Sequence, residues 1–154
     1  MSLIEQNLAE LGLVLPLPPT PMANYVPAVI TGNLVFLSGQ IPRDPDGTPV
    51  KGVLGDNYTV EEGYEAARQI TLSLISTLKD AIGDLDRVTR FVKLVCMVNA
   101  IPIFTQHPSV ANGASDLLVA VLGENGKHAR VAAGMSSLPA GVPVEIELTV
   151  EITT

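Results

Sequence analysis

Two side chains in the C-terminal stretch have the types and placement for chemistry on a small acid. Arg130 opens the run A-R-V-A-A-G-M and is the only arginine after Arg90. After a Pro/Gly turn, Glu145 is the first carboxylate of V-P-V-E-I-E-L-T-V-E-I. A guanidinium presents a planar fork that suits a substrate carboxylate, and a nearby glutamate can move a proton or position a water. Glu147 and Glu151 share the polar face with Glu145, because side chains of a strand alternate between faces. Alternation alone does not choose among the three. Glutamates crowded on one sheet face repel unless solvent or a cation lies over them, so this face is not dry core. A salt bridge, or two solvated strand residues, is the plain structural alternative for Arg130 and Glu145.

Other chemistries find less support. His107 and His128 stand alone, with no CxxC and no H-E-x-x-H, so no metal site is expected. No G-x-S-x-G elbow accompanies a serine, and Ser115 in G-A-S-D-L is expected to pack or cap within a helix. G-V-L-G-D-N lacks the lysine of a phosphate loop, and no G-x-G-x-x-G is present. The single cysteine, Cys96, sits in an apolar strand-like run and reads as a buried structural thiol in a reducing compartment.

The elements that must position Arg130 and Glu145 follow from periodicity. Residues 2–13 predict a short amphipathic helix, with Leu3, Ile4, Leu8 and Leu11 on one face, Ser2 as cap and Gly12 as stop. Pro16, Pro18, Pro19 and Pro21 then exclude helix and central strand, so an extended linker is expected. Residues 24–41 predict a hairpin turning at T-G-N, and 50–54 a short edge strand. Thr59 and Glu62 stand at capping-box spacing. They open a long helix whose stripe of Tyr64, Ala67, Ile70, Thr71, Leu74, Leu78 and Ile82 faces the core and which stops at Gly83. Residues 87–99 carry apolar side chains on both faces and predict a strand inside the sheet. A second helix is expected over 109–122, with Asn112-Gly113 arguing against a long uninterrupted one. Residues 127–154 predict two strands joined by a turn. The order is β-β-α-β-α-β-β after an N-terminal helix. That is an α+β layer with two helices on one face of a sheet, which divides into 1–22 (helix and Pro-rich linker) and 23–154 (one domain). The second face is expected to pack on copies of the same chain.

Composition bounds the rest. The chain has 154 residues, about one domain. It is 47% hydrophobic and only 16% charged, against roughly a quarter in typical soluble domains, which favours an oligomer. The net charge of −7, with scattered basic residues and few aromatics, argues against a nucleic-acid substrate. The N-terminus shows neither a signal-peptide pattern nor a membrane span, so a cytoplasmic location is expected.

The motif A-R-(x)8-L-P-(x)4-V-E-I-E resembles the C-terminal signature of the YjgF/RidA (Rid) family, often labelled endoribonuclease L-PSP. The similarity extends over about residues 23–153. N-Y-V-P-A-V at 24–29 resembles the family's Pro-Tyr-x-x-A-V segment and implies that Tyr25 is the site tyrosine. G-N-L-V-F-L-S-G-Q-I-P at 32–42 is close to the family's most recognisable strand, bringing Ser38 and Gly39. L-D-R-V at 85–88 matches its L-x-x-V pattern. H-A-R places Arg130 on the carboxylate-gripping arginine, and V-E-I-E places Glu145, rather than Glu147, on the catalytic glutamate. The resemblance implies a chorismate-mutase-like fold of the Bacillus type and a homotrimer with sites at the subunit clefts. It also implies cofactor-free hydrolysis of reactive enamines or imines to a 2-oxo acid and ammonia. The departures are His128 in place of Pro, Ala132 in place of Cys, and A-N-G-A-S-D-L near the second helix, where Asn112 is the candidate polar residue. With the N-terminal addition they suggest a longer subgroup. His128 either supplies a proton or packs at the strand start. A non-catalytic, carboxylate-binding trimer acting as sensor or regulator is the alternative function.

Overall fold

The computed structural model describes residues 1–21 and 23–154. Its elements are α1 (Leu3–Glu10), β1 (Ala28–Thr31), β2 (Leu34–Gln40), α2 (Val60–Ile82), β3 (Val88–Asn99), α3 (His107–Leu122), β4 (Ala129–Met135) and β5 (Val144–Ile152). They form one five-stranded sheet in the order β1-β2-β5-β3-β4. This is the α+β, chorismate-mutase-like arrangement expected from the sequence. Among the described residues no helix is long and apolar enough to cross a membrane.

The alternation of β5 decides which side of the sheet is dry. Val144, Ile146, Leu148, Val150 and Ile152 are all buried, with Phe91, Leu94, Cys96 and Val98 of β3 beside them on the face covered by the helices. The opposite face carries Glu145, Glu147, Thr149 and Glu151, with Val95 and Met97 of β3 in register with Glu147 and Glu145. Phe36 of β2 and Val29 of β1 lie on the same face, 45% and 52% exposed. Burial pushes the Cys96 thiol up to about 12, so it has almost no thiolate to offer as a nucleophile.

The caps read from sequence are present. Thr59 and Glu62 bond each other's backbone N–H reciprocally, and Ser2 and Glu5 do the same at α1. Glu5 also bonds Lys79 of α2 at 2.5 Å, and these contacts hold its carboxyl down at about 2. Ile4 and Leu8 anchor α1 in the core, whereas Leu3 and Leu11 are exposed. An eight-residue helix buries one narrow stripe, and i, i+4 satisfies it. Tyr64 is only partly buried because its hydroxyl donates to Asp116 at the surface.

Three expectations need correction. Residues 50–54 form isolated bridges at Leu54 rather than a strand: Gly52 lies so close under the Tyr58 ring that an added Cβ would come within 2.4 Å of it. The second helix runs unbroken from His107 to Leu122. Gly113 is the point where α3 meets α2, since a Cβ there would stand 1.9 Å from the Tyr64 carbonyl oxygen. The glycine permits close helix packing and does not interrupt the helix. Finally, β4 and β5 do not pair. β4 is an edge strand parallel to β3, and β5 inserts between β2 and β3. The connection carrying β5 across is pinned by buried Asn99, whose Nδ2 donates to the Val142 carbonyl at 3.1 Å.

Gly113→Ala is expected to lower stability by roughly 3 kcal/mol, the upper range for overpacking, because backbone cannot move aside as a side chain can. Urea unfolding checks it, and a loss below about 1 kcal/mol would contradict this account of the α2–α3 contact.

Candidate functional site

Glu145 lies where β2 departs from regular pairing. Leu37 faces Leu148, but Gln40 faces Ile146, so three steps on β2 answer two on β5. The extra residue is a β-bulge at Ser38-Gly39, and bulges redirect side chains and bend the strand. It places Gly39 directly against the carboxylate: a Cβ on Gly39 would come within 2.7 Å of Glu145 Oε1. Ser38 Oγ donates to the Val26 carbonyl at 2.6 Å, and Ser38 N–H donates to the Pro27 carbonyl at 2.9 Å. These bonds tie the segment carrying Tyr25 to the bulge. Tyr25, Ser38, Gly39 and Glu145 together border one cavity of about 820 Å³. Partial burial raises the Glu145 carboxyl above its ordinary range, and repulsion from Glu147 adds to this. A carboxylate so placed holds a proton better than a free one, which makes it a stronger general base.

Arg130 lies elsewhere. In register it pairs with Leu94 on the helix side of edge strand β4, and its guanidinium reaches α3. Nη1 donates to Asn112 Oδ1 at 2.8 Å and to Ser115 Oγ at 3.1 Å. Ser115 in turn meets His128 Nε2 at 2.9 Å, while His128 Nδ1 meets the Gly126 carbonyl at 2.7 Å. A carbonyl only accepts, so Nδ1 carries the hydrogen. In the neutral ring Nε2 then accepts from the Ser115 hydroxyl, which leaves a Ser115 lone pair for Arg130. The result is a directed chain, Arg130 to Ser115 to His128 to backbone, which fixes one edge of the fork. The other N–H groups of Arg130 have no partner among the described residues and remain able to grip an anion.

Within one chain the sequence-selected residues therefore form two groups. Tyr25, Ser38, Gly39 and Glu145 share the cavity. Arg130, Asn112 and His128 share the edge strand and α3, on the other side of β3. Sequence reasoning missed Ser115 as a member of the second group. The signal was available, because Asn112 and Ser115 stand at i, i+3 on one helix and so share a face.

Comparison with known proteins defines the family. The family model described as "YjgF/chorismate_mutase-like, putative endoribonuclease" matches residues 5–150, and the chain belongs to that YjgF/RidA family. It is similar to Protein TCP17 of Trypanosoma cruzi, at 46% identity over 97% of this chain and 94% of that protein. It is also similar to the crystal structure of Atu1372 from Agrobacterium tumefaciens, a protein described as of unknown function. There the identity is 42% and the TM-score 0.90, covering 98% of this chain and 93% of that one. RidA from the Antarctic bacterium Psychrobacter sp. PAMC 21119 superposes with a TM-score of 0.60 at 27% identity, over 88% of this chain and 94% of its own.

Glu145→Gln tests the environment of the carboxylate. A carboxyl whose folded value lies above its unfolded value of 4.5 costs stability once ionised, and that cost grows as pH rises from the unfolded to the folded value. The amide is therefore expected to be the more stable form at pH 7, by roughly half a kcal/mol or less for a partly solvated group. The advantage should vanish as pH falls below about 4.5. Thermal melts of both proteins from pH 3 to 7 check the sign.

Proposed function

We propose that this chain is a hydrolytic deaminase of reactive imines, working as a homotrimer in which Arg130 of one protomer meets Glu145 of the next. The observation that carries this is the division of the two groups. Arg130 suits the carboxylate of a small imino acid and Glu145 suits activation of a water, yet β3 lies between the two groups in a single chain. The exposed sheet face with Phe36, Val29 and Val95 offers the apolar surface for such an assembly.

An enamine first tautomerises to its imine. The free edge of Arg130 pairs with the substrate carboxylate through two parallel N–H···O bonds, with Asn112, Ser115 and His128 holding the opposite edge. Gly39 and Tyr25 border the space next to Glu145. Glu145 takes a proton from water as the oxygen attacks the imine carbon, forming a C–O bond and moving the C=N electron pair onto nitrogen. The carboxylic acid then returns the proton to that nitrogen, giving a carbinolamine. The carboxylate next takes the hydroxyl proton and passes it to the same nitrogen as the C=O bond forms and the C–N bond breaks, so ammonia leaves a 2-oxo acid. Both protons delivered to nitrogen come from the attacking water, and no electron acceptor is needed.

An assay coupled to a dehydratase that releases 2-aminoacrylate or 2-aminocrotonate follows the loss of the imine. The wild type is expected to accelerate it. Arg130→Ala should reduce kcat/KM at least ~30-fold, the scale of about 2 kcal/mol or more for removing one side of a buried charge pair, while sedimentation shows the same oligomer. Glu145→Gln should be equally inactive. Mixing the two inactive chains under conditions of subunit exchange should restore roughly a quarter of the wild-type sites, by random assortment in a cyclic oligomer. No recovery on mixing would refute a shared site. A wild type that leaves the imine decay unchanged would refute the deaminase.

A further inference from the structure

The cavity beside Glu145 is far larger than the smallest imines need. A three-carbon imino acid has about six heavy atoms, and at a water's share of ~30 Å³ for each it fills about a fifth of the 820 Å³ available. The remaining space has a particular wall. Pro16, Leu17, Pro19 and Pro21 of the N-terminal segment line it, opposite Leu72 of α2. Proline has no N–H to donate and a fixed φ, so this wall is both apolar and stiff.

The wall is also anchored. Ser76 of α2 donates to the Pro16 carbonyl at 2.5 Å, and just before it α1 is docked through Ile4, Leu8 and the Glu5–Lys79 bond. Of the charged side chains in the 43–46 lining, Arg43 and Asp46 are engaged within their own loop. Arg43 Nη1 donates to the Gly47 carbonyl, and Asp46 Oδ1 accepts from Thr48 N–H. What extends from Glu145 is thus a chamber with an apolar N-terminal wall, its remaining lining including the polar side chains Gln40, Gln69 and Ser73.

We propose that this chamber receives the substrate's side chain, and that the acid acted on is an imino acid bearing a large apolar group, aromatic or branched aliphatic, with residues 14–21 as the specificity-determining wall. This rests on the assignment of Arg130 and Glu145 to the carboxylate and the imine carbon. Binding energy for a side chain in an apolar pocket grows with each methylene, typically about tenfold or more. The chamber therefore discriminates against three-carbon acids.

The full-length protein is titrated calorimetrically with 2-oxo acids, the stable products: phenylpyruvate and 4-methyl-2-oxopentanoate against pyruvate. The large acids are expected to bind at least ~10-fold more tightly than pyruvate. Two variants test the wall. Ser73→Phe fills the chamber from α2, where Ser73 lines it. Leu17→Asp puts a charge on a residue 92% exposed, so the fold is not at risk. Each should reduce the preference to about threefold or less while pyruvate binding stays the same. Equal affinity for small and large acids, no binding of any, or a preference unchanged in both variants overturns the proposal. Imine hydrolysis is measured separately on the same panel. If the size preference holds but no imine is hydrolysed, the deaminase reading falls and the chamber stands. If all imines are hydrolysed alike, the chamber falls and the deaminase stands.

Discussion

One strand separates the dry half of this molecule from the wet half. β5 lies at the centre of the sheet, between β2 and β3, with five aliphatic side chains buried on one face and glutamates on the other. A shift of one residue would bury the carboxylates and expose the aliphatics. The cost of burying unpaired carboxylates forbids that slip. The position of Glu145 is thus set by the same constraint that builds the core.

The features around the site serve this placement. Asn99 spends its buried amide on the connection entering β5, so the strand begins at a defined residue. The bulge at Ser38-Gly39 removes a side chain where the Glu145 carboxylate must lie, and ties the Tyr25 segment to it. On the far edge, Asn112, Ser115 and His128 orient a guanidinium that would otherwise sample many rotamers, and pre-oriented donors lose less entropy when they bind an anion. Glu145 itself is held where ionisation is disfavoured. An ionised carboxylate so held lowers stability.

Local signals in the sequence were read well. The capping box of Thr59 and Glu62, the stop at Gly83, the turn between β1 and β2, and the alternation of β5 each involve neighbours within a few residues, where side-chain chemistry and backbone geometry decide the outcome. Misreadings arose where a distant element set the result. Gly113 reads as a helix breaker until the Tyr64 carbonyl is seen against it. Residues 50–54 read as a strand until the Tyr58 ring is found on Gly52. Residues 127–154 read as a neighbouring strand pair until β3 is found between the two. Ser115 read as packing because Arg130 and His128 reach it from another element.

The amino-acid sequence by itself determined the order of elements, the buried face of β5 and, through motif resemblance, the family. These depend on periodicity and on short patterns, which the chain carries locally. Only the tertiary structure decided that Arg130 and Glu145 stand apart in one chain and that the prolines of the N-terminal segment wall a chamber beside Glu145. Strand order and the docking of an extended segment are long-range choices, set by how the whole set of apolar faces is best covered, and no local pattern encodes them.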